Sequence, residues 1–199
     1  MRRWVFKPIA WLLCLAPLAY LVYTLYQDPG ANPIETITNV TGIWTLRFIV
    51  LTLVVSPLRW ITGVNQLVNY RRLIGLFAFF YSVLHFTTFF LFDHQFDIAG
   101  MFADVRLRPY ITAGFIAFVL MIPLAVTSTA GWIRRMGGRN WNLLHRLVYI
   151  TALAAVLHYY WKVSIKLPPV NPLRYAAVIG LLLVMRAAQA MLKRRQSSR

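Results

Sequence analysis

The sequence is poor in cysteine, in acidic residues and in nucleotide-binding motifs. Its one cysteine, Cys14, excludes an intramolecular disulfide, an iron–sulfur centre and a structural zinc built on cysteines. There is no G-x-G-x-x-G fingerprint and no P-loop, so no signature of a nucleotide phosphate site is present. Only 13% of the 199 residues are charged, which is too little polar surface for a soluble domain of this size.

Hydrophobic and basic side chains are abundant instead. Hydrophobic residues make up 59% of the chain, the mean hydropathy is +0.60 and the net charge is +16. In a soluble protein this charge would suggest nucleic acid. Here the basic residues stand between apolar stretches, where the positive-inside rule explains them. We therefore expect a membrane protein that contacts lipid and binds no nucleic acid.

Six apolar stretches each approach the ~20 residues that a helix needs to cross a bilayer. Gly and Pro residues mark the joints, and no long soluble segment remains. The first stretch is too long for a signal peptide and is interpreted as an uncleaved span. The sequence thus predicts one all-α domain over residues 1–199, a bundle of six transmembrane helices. The predicted spans are Ile9–Gln27, Ile43–Ile61, Leu73–Phe92, Tyr110–Ser128, Leu143–Val163 and Leu173–Leu192.

The loops predict the orientation of this bundle. One set of span ends carries fourteen basic residues, Arg199 among them, and the other set carries five, Lys166 among them, with every acidic residue. Because cytoplasmic loops collect Lys and Arg, we expect both termini in the cytoplasm. The acidic residues on the outer side are either simply tolerated there or form a rim that docks a partner.

Three of the four histidines, His85, His145 and His158, lie within or at the edge of the apolar stretches. Ionisable side chains at membrane depth are costly and usually functional. Neutral imidazole binds metals without carrying charge, so a buried cofactor such as haem would explain them. The fourth, His94, lies in the acidic loop and is expected to be solvated.

The membrane histidines lie at two depths, which we call the outer and inner tiers. His85 and His158 fall in the outer half of spans three and five. Arg71 lies fourteen residues before His85, and His145 lies thirteen before His158. Both separations rise about 20 Å along a helix, so Arg71 and His145 share an inner tier.

The angular positions leave one question open. Fourteen residues return within ~40° of the same face, so Arg71 and His85 can address one cleft. Thirteen residues leave His145 and His158 ~140° apart on an ideal helix. Either span five bends or begins irregularly, or His145 points elsewhere. Arg71 either binds the propionate groups of a haem or simply anchors its helix at the cytoplasmic side of the membrane.

Several stretches together carry a family resemblance over nearly the whole chain. They read ANPIETITNVTG, RRLIGLFAFFYSVLHF, TSTAGWIRRMGGRNWNLLHRLVYI, LHYYW and SIKLPP. They are similar to MsrQ (also called YedZ), a family of haem-binding membrane subunits of bacterial periplasmic methionine sulfoxide reductase systems. This family belongs to the ferric-reductase-like transmembrane group, which includes the NADPH oxidases.

The resemblance implies a set of metal ligands. His85 matches the outer histidine of the third-span pair, while His158 and His145 match the fifth-span pair. Arg71 stands where the group has its fourth histidine. The resemblance thus implies one b haem between His85 and His158, and a second only if His145 holds it with Arg71, water or nothing opposite. It also implies FMN, for which no motif indicates a position.

The implied function is electron transfer across the bacterial inner membrane by a subunit that is not itself the catalytic one. Electrons would come from quinol or from a cytoplasmic flavin reductase. They would leave to a periplasmic, molybdopterin-containing methionine sulfoxide reductase that repairs oxidised proteins. Two alternatives remain: a self-contained ferric or cupric reductase, and a non-redox membrane anchor for a partner.

Overall fold

The computed structural model describes residues 2–165 and 168–197, apart from the side chains of residues 2–6, 193, 194 and 197. Lys166 and Arg199, which entered the count of basic residues, lie outside the described residues. Within these ranges the chain is all-α and contains no strand. The helices are α1 (Arg2–Gln27), α2 (Pro33–Thr62), α3 (Val68–Thr88), α4 (Ile98–Leu107), α5 (Pro109–Val126), α6 (Ala130–Leu144), α7 (Leu147–Ser164) and α8 (Val170–Ser197).

Five helices among the described residues are long and apolar enough to cross a membrane, and the bent pair of α6 and α7 is a candidate for a sixth span. The chain is therefore a multi-pass membrane protein. A short 3₁₀ helix, Asn65–Leu67, leads into α3, and a π-helical turn, Phe89–Asp93, extends it.

α2 starts well before the predicted second span, because its polar first third is also helical. The side chain of Asn32 accepts a hydrogen bond from the Glu35 amide (3.1 Å), and Pro33 occupies the first helical turn. Threonine hydroxyls here donate to carbonyls one turn earlier, as Thr41 does to Ile37 (2.7 Å). These internal bonds keep the polar segment helical where hydropathy gives no signal.

Two helices, α4 and α6, occupy connections for which the sequence predicted no helix. Asp97 caps α4 by accepting from the Gly100 amide (3.0 Å), and Thr129 caps α6 by accepting from the Trp132 amide (3.4 Å). α6 bends at Gly137, whose φ of +74° is costly for any residue with a side chain. Neither helix reaches spanning length alone, so the hydropathy pattern could not predict it.

The span that carries two histidines is broken between them. α6 ends at Leu144, His145 is its C-cap, and α7 begins at Leu147 after a bend of 42°. His145 therefore does not lie on the helix that carries His158. The ideal-helix offset of ~140° does not apply, because the span begins irregularly.

Two helix pairs form the centre of the bundle. α2 packs most extensively against α3, and α5 packs in the same way against α7. The pairs meet where Phe86 of α3 stacks on Phe118 of α5, with ring centroids 4.6 Å apart. α1 and α8 lie outside and expose large apolar side chains such as Leu13 (68%) and Leu181 (62%), which suit a lipid environment.

Tyr81 joins α1 to this core through its hydroxyl group. Pro17 disturbs α1, and the Tyr81 hydroxyl accepts from the Leu18 amide and donates to the Cys14 carbonyl, both at 3.0 Å. In a regular helix that amide and that carbonyl would bond to each other. The hydroxyl of a fully buried side chain thus replaces one helical hydrogen bond.

Candidate cofactor site

His85 is held on α3 by two residues of α2. Its Nδ1 lies 2.9 Å from the carbonyl oxygen of Thr38. A carbonyl can only accept, so Nδ1 donates and the lone pair of the neutral ring is on Nε2. Gly42 lies directly against the ring: a Cβ built there would be 2.9 Å from Cε1 of His85. The α2 segment that hydropathy missed therefore positions this histidine.

His158 is held on α7 in the same way by α5. Its Nδ1 donates to the Tyr110 carbonyl oxygen at 2.6 Å, which again leaves the lone pair on Nε2. A Cβ on Gly114 would lie 2.7 Å from Nδ1 of this ring. Metal-bound histidines commonly donate their other ring nitrogen to a carbonyl in this manner.

The two histidines thus share one local arrangement, a glycine beneath the ring and an acceptor carbonyl four residues before that glycine. Thr38 and Gly42 form it on α2, and Tyr110 and Gly114 form it on α5. None of these four residues was predicted from the sequence. A glycine inside an apolar stretch could have indicated such a site, but glycines are common in membrane helices for packing reasons alone.

The structure brings the rings of His85 and His158 close together in an edge-on arrangement. Their ring centroids are 6.0 Å apart and the ring planes are inclined by 74°. Two metal–nitrogen bonds of about 2 Å, the usual length for imidazole, would place the centroids roughly 6 Å apart. The observed separation of the rings is therefore compatible with one metal centre bound by both imidazoles.

A cavity of about 750 Å³ surrounds the pair. This volume is in the range of small-molecule and cofactor sites. Its wall is apolar at Leu46, Ile49 and Met121, and it is polar at the exposed residues Asp93 and Arg108, which we call its mouth. A large group with an apolar body and a polar edge would fit this distribution.

The donor set favours a metal held in a macrocycle over a bare ion. Across residues 2–165 and 168–197, no three His, Cys, Asp or Glu side chains gather at a possible metal site. A bare ion would need such a group. Haem iron takes its four in-plane ligands from the porphyrin and needs the protein only for axial ones, which two histidines can supply.

At the mouth, His94 differs from the solvated loop residue that the sequence predicted. Its side chain is only 10% exposed, because its ring packs edge-on against Phe89 at 4.6 Å. Its Nε2 lies 3.7 Å from a carboxylate oxygen of Asp104, which also pairs with Arg108 at 3.2 Å. A hydrogen bond with Tyr110 and the Asp104 carboxylate raise the pKa of Arg108, so the mouth retains both signs of charge.

His145 lies outside this cavity and has a different environment. The hydroxyl group of Thr127 donates to the Pro123 carbonyl (2.6 Å), so it accepts from Nε2 of His145 at 3.1 Å. The imidazole stacks on Trp141, with centroids 3.9 Å apart. Its lone pair is therefore on Nδ1, the opposite of the arrangement at the outer pair.

Arg71 lies at the same end of the bundle as His145. Its Nη1 is 3.5 Å from the hydroxyl oxygen of Ser56, and its charge acts on the His145 ring. The structure thus brings Arg71 and His145 within electrostatic range of each other. It places neither of them in the wall of the 750 Å³ cavity.

Comparison with known proteins identifies similar chains. The family model described as "Ferric reductase like transmembrane component" matches residues 40–156, which include His85 and His145 and end two residues before His158. Three relatives carry the name "Protein-methionine-sulfoxide reductase heme-binding subunit MsrQ". The protein of Herminiimonas arsenicoxydans is 47% identical, covering 96% of this chain and 88% of its own length. That of Ralstonia nicotianae is 50% identical, covering 88% and 82%. That of Xanthomonas oryzae pv. oryzae is 39% identical, covering 98% and 91%.

Proposed function

The chain belongs to the ferric-reductase-like transmembrane family and, within it, to the MsrQ subunits, and from this membership we propose that it is the haem-binding electron-transfer subunit of a methionine sulfoxide reductase system. The observation that carries the proposal is the pair His85 and His158, with rings 6.0 Å apart in a cavity of about 750 Å³. The geometry of this pair is independent of the names of the relatives.

A b-type haem in this cavity would supply one-electron chemistry, as its iron cycles between Fe(II) and Fe(III). The residues of the chain would bind and orient this group. His85 and His158 present their Nε2 lone pairs, and the carbonyls of Thr38 and Tyr110 fix the ring orientations. The apolar wall limits water and thereby favours the less charged state of the metal centre.

The proposal also includes a source and a destination for the electrons. They arrive from membrane quinol or a cytoplasmic flavin reductase and leave to a periplasmic methionine sulfoxide reductase subunit that contains molybdopterin. Both termini lie in the cytoplasm of a bacterium, and the histidine pair lies in the outer half of the inner membrane. That position suits an exit on the periplasmic side, near the charged mouth of the cavity, whose lining includes Asp93, Asp104 and Arg108.

A second haem and FMN belong to the proposal as additional cofactors. His145 with Arg71 would hold the second haem at the inner tier. For that, the His145 ring must turn a lone pair to the metal, since in this structure its Nε2 donates to Thr127. No group of described residues indicates where FMN binds.

Single substitutions test the outer pair. We expect His85→Ala and His158→Ala each to lose most of the b-type absorbance, because each removes an axial ligand. The matched controls are Thr87→Ala and Leu157→Ala, which alter exposed neighbours on the same helices and should keep it. The measurement is the Soret absorbance per protein after purification. A full spectrum in both histidine variants would contradict the assignment.

The variant His145→Ala tests the number of haems. If His145 holds a second haem, the haem-to-protein ratio falls to about half and the outer haem spectrum remains. An unchanged ratio means that the chain holds one haem and that His145 has a structural role.

Electron transfer itself is tested with the partner present. The proposal expects reduced protein to reoxidise when the partner reductase and methionine sulfoxide are added together. Rapid reduction of ferric or cupric chelates without the partner would instead indicate a metalloreductase, and purified protein without any Soret band would indicate an anchor.

A further inference from the structure

Two arginines are partly buried in the bundle, away from the carboxylates of the chain. Arg71 is in the first turn of α3, and Arg186 is well inside α8. All five acidic residues lie elsewhere, Asp28 and Glu35 around the α1–α2 connection and the other three between α3 and α5. Among the described residues, neither arginine pairs with a carboxylate. Unpaired charge in a low dielectric is costly, so a compensating group is expected.

Both guanidinium groups reach the same face of α2. Nη2 of Arg186 donates to the Leu53 carbonyl at 2.7 Å, and Nη1 of Arg71 lies 3.5 Å from the Ser56 hydroxyl. Leu53 and Ser56 are three residues apart and are therefore neighbours on the helix surface.

Pro57 explains the first of these bonds. In a helix the Leu53 carbonyl would accept from the amide of residue 57, but proline has no N–H. The guanidinium of Arg186 fills that vacancy on the carbonyl. A neutral carbonyl satisfies one donor and leaves both positive charges uncompensated.

Donors remain available between the two arginines. Nε of Arg186 is buried and has no hydrogen-bond partner among the described residues. Nη1 of Arg186 donates to the Tyr149 hydroxyl at 2.9 Å, and the O–H hydrogen of Tyr149 stays free for another acceptor. These groups come from α3, α7 and α8 and converge on one side of α2.

We propose that Arg71, Arg186 and Tyr149 form an oxyanion-binding site at the end of the bundle opposite the His85–His158 pair, which takes the carboxylate or phosphate group of a membrane-resident cofactor or lipid. Guanidinium groups match the oxygens of both anions and bind them by charge-assisted hydrogen bonds. The inference does not rest on the proposed electron route, because it follows from uncompensated charge and unsatisfied donors.

The variants Arg71→Gln and Arg186→Gln test this site. The matched control is Arg47→Gln, which also removes an arginine from a membrane helix. Arg47 is exposed, lies over the Trp44 ring at 4.6 Å and bonds the Tyr175 hydroxyl at 3.3 Å. Arg186→Lys keeps the charge but loses the guanidinium fork, and it replaces the glutamine variant should that one not fold.

Three binding measurements distinguish the sources of the oxyanion. Titration of FMN against riboflavin tests a flavin phosphate, and titration of haem against haem dimethyl ester tests a propionate carboxylate. Native mass spectrometry after purification from phosphatidylglycerol nanodiscs tests a lipid phosphate. In at least one of the three, we expect Arg71→Gln and Arg186→Gln to weaken binding by about tenfold or more, while Arg47→Gln behaves as wild type and Arg186→Lys lies between.

The proposal is overturned if all three measurements give the same result for the folded Arg71 and Arg186 variants as for Arg47→Gln. The Soret band of the outer pair serves as an internal reference in every sample. Its retention in the arginine variants separates failure of this site from failure of the proposed haem function.

Discussion

At the scale of single residues, the histidine pair depends on two residues that have no chemistry of their own. Gly42 and Gly114 leave room for imidazole rings that a Cβ would meet at 2.9 and 2.7 Å. Real Cβ atoms do not approach other atoms so closely, so a larger residue there must displace the ring or the helix. The glycines thus set the position of the two imidazole rings.

The substitutions Gly42→Ala and Gly114→Ala should each lower haem retention while the protein still folds. The added methyl group pushes the imidazole away from its carbonyl acceptor and from the position in which it would hold the haem. The measurement is the haem-to-protein ratio together with the position of the Soret band. Gly180→Ala is the control, because nothing lies within 4 Å of a Cβ at that position. Equal haem content in all three variants would show that the glycines do not position the ligands.

The sequence predicted that His85 and His158 lie at one depth, because ionisable residues in apolar stretches are conspicuous, and the structure brings the two rings together; their role as haem ligands stays a prediction. Arg186 also lies in an apolar stretch, but it was not singled out, because the basic residues were sorted by the loops between spans. Its meaning depends on the Leu53 carbonyl and on the distant Tyr149, and only the fold brings them together. The environment of His145 was unpredictable for a similar reason, since it depends on a hydroxyl group of another helix.

At the scale of elements, α1, α2 and α8 are longer than the spans that the hydropathy pattern predicts, and the fifth predicted span is broken. That pattern reports which residues tolerate lipid, so it cannot report where a capped, polar helix begins or where an apolar one breaks. The first third of α2 and the break at His145 are the two instances that matter for the site. The prolines inside α1 and α2 do not end these helices. Near each proline, a side chain from another helix forms a hydrogen bond with a backbone carbonyl.

The substitution Tyr81→Phe should destabilise the junction of α1 with α3. It removes the hydroxyl that joins the Leu18 amide to the Cys14 carbonyl and leaves both groups without that partner at a fully buried position. We expect a loss of about 1–3 kcal/mol in the free energy of unfolding. Chemical denaturation in detergent measures it, with the exposed Tyr20→Phe of α1 as the control. A loss no greater than that of the control would mean that α1 closes its own hydrogen bond.

At the scale of the whole molecule, the charge distribution of the chain predicts the orientation. The sequence concentrates basic residues at one set of span ends and all acidic residues at the other. The all-α fold with five or six candidate spans was correctly predicted. The side of the membrane on which each end lies is a separate prediction.

Reporter fusions test this orientation. Green fluorescent protein fused to either terminus should fluoresce, because it matures in the cytoplasm. Alkaline phosphatase inserted between α3 and α4, after Phe96, should be active, whereas the same insertion at Gly138 in α6 should be inactive. Activity at Gly138 together with inactivity after Phe96 would reverse the proposed orientation.

The repeated glycine-and-carbonyl arrangement has a consequence for biosynthesis. α2 and α3 leave the ribosome before α5 and α7, and each pair contains one histidine with everything that orients it. Each helix pair thus carries one complete half of the proposed site. A metal centre bound by both histidines would join two helix pairs that are synthesised at different times. A ligand that binds only the joined state stabilises that state by mass action. In cells starved of haem, we expect the two helix pairs to separate more readily and membrane proteases to degrade the chain. The cofactor would then complete the fold after synthesis of the chain.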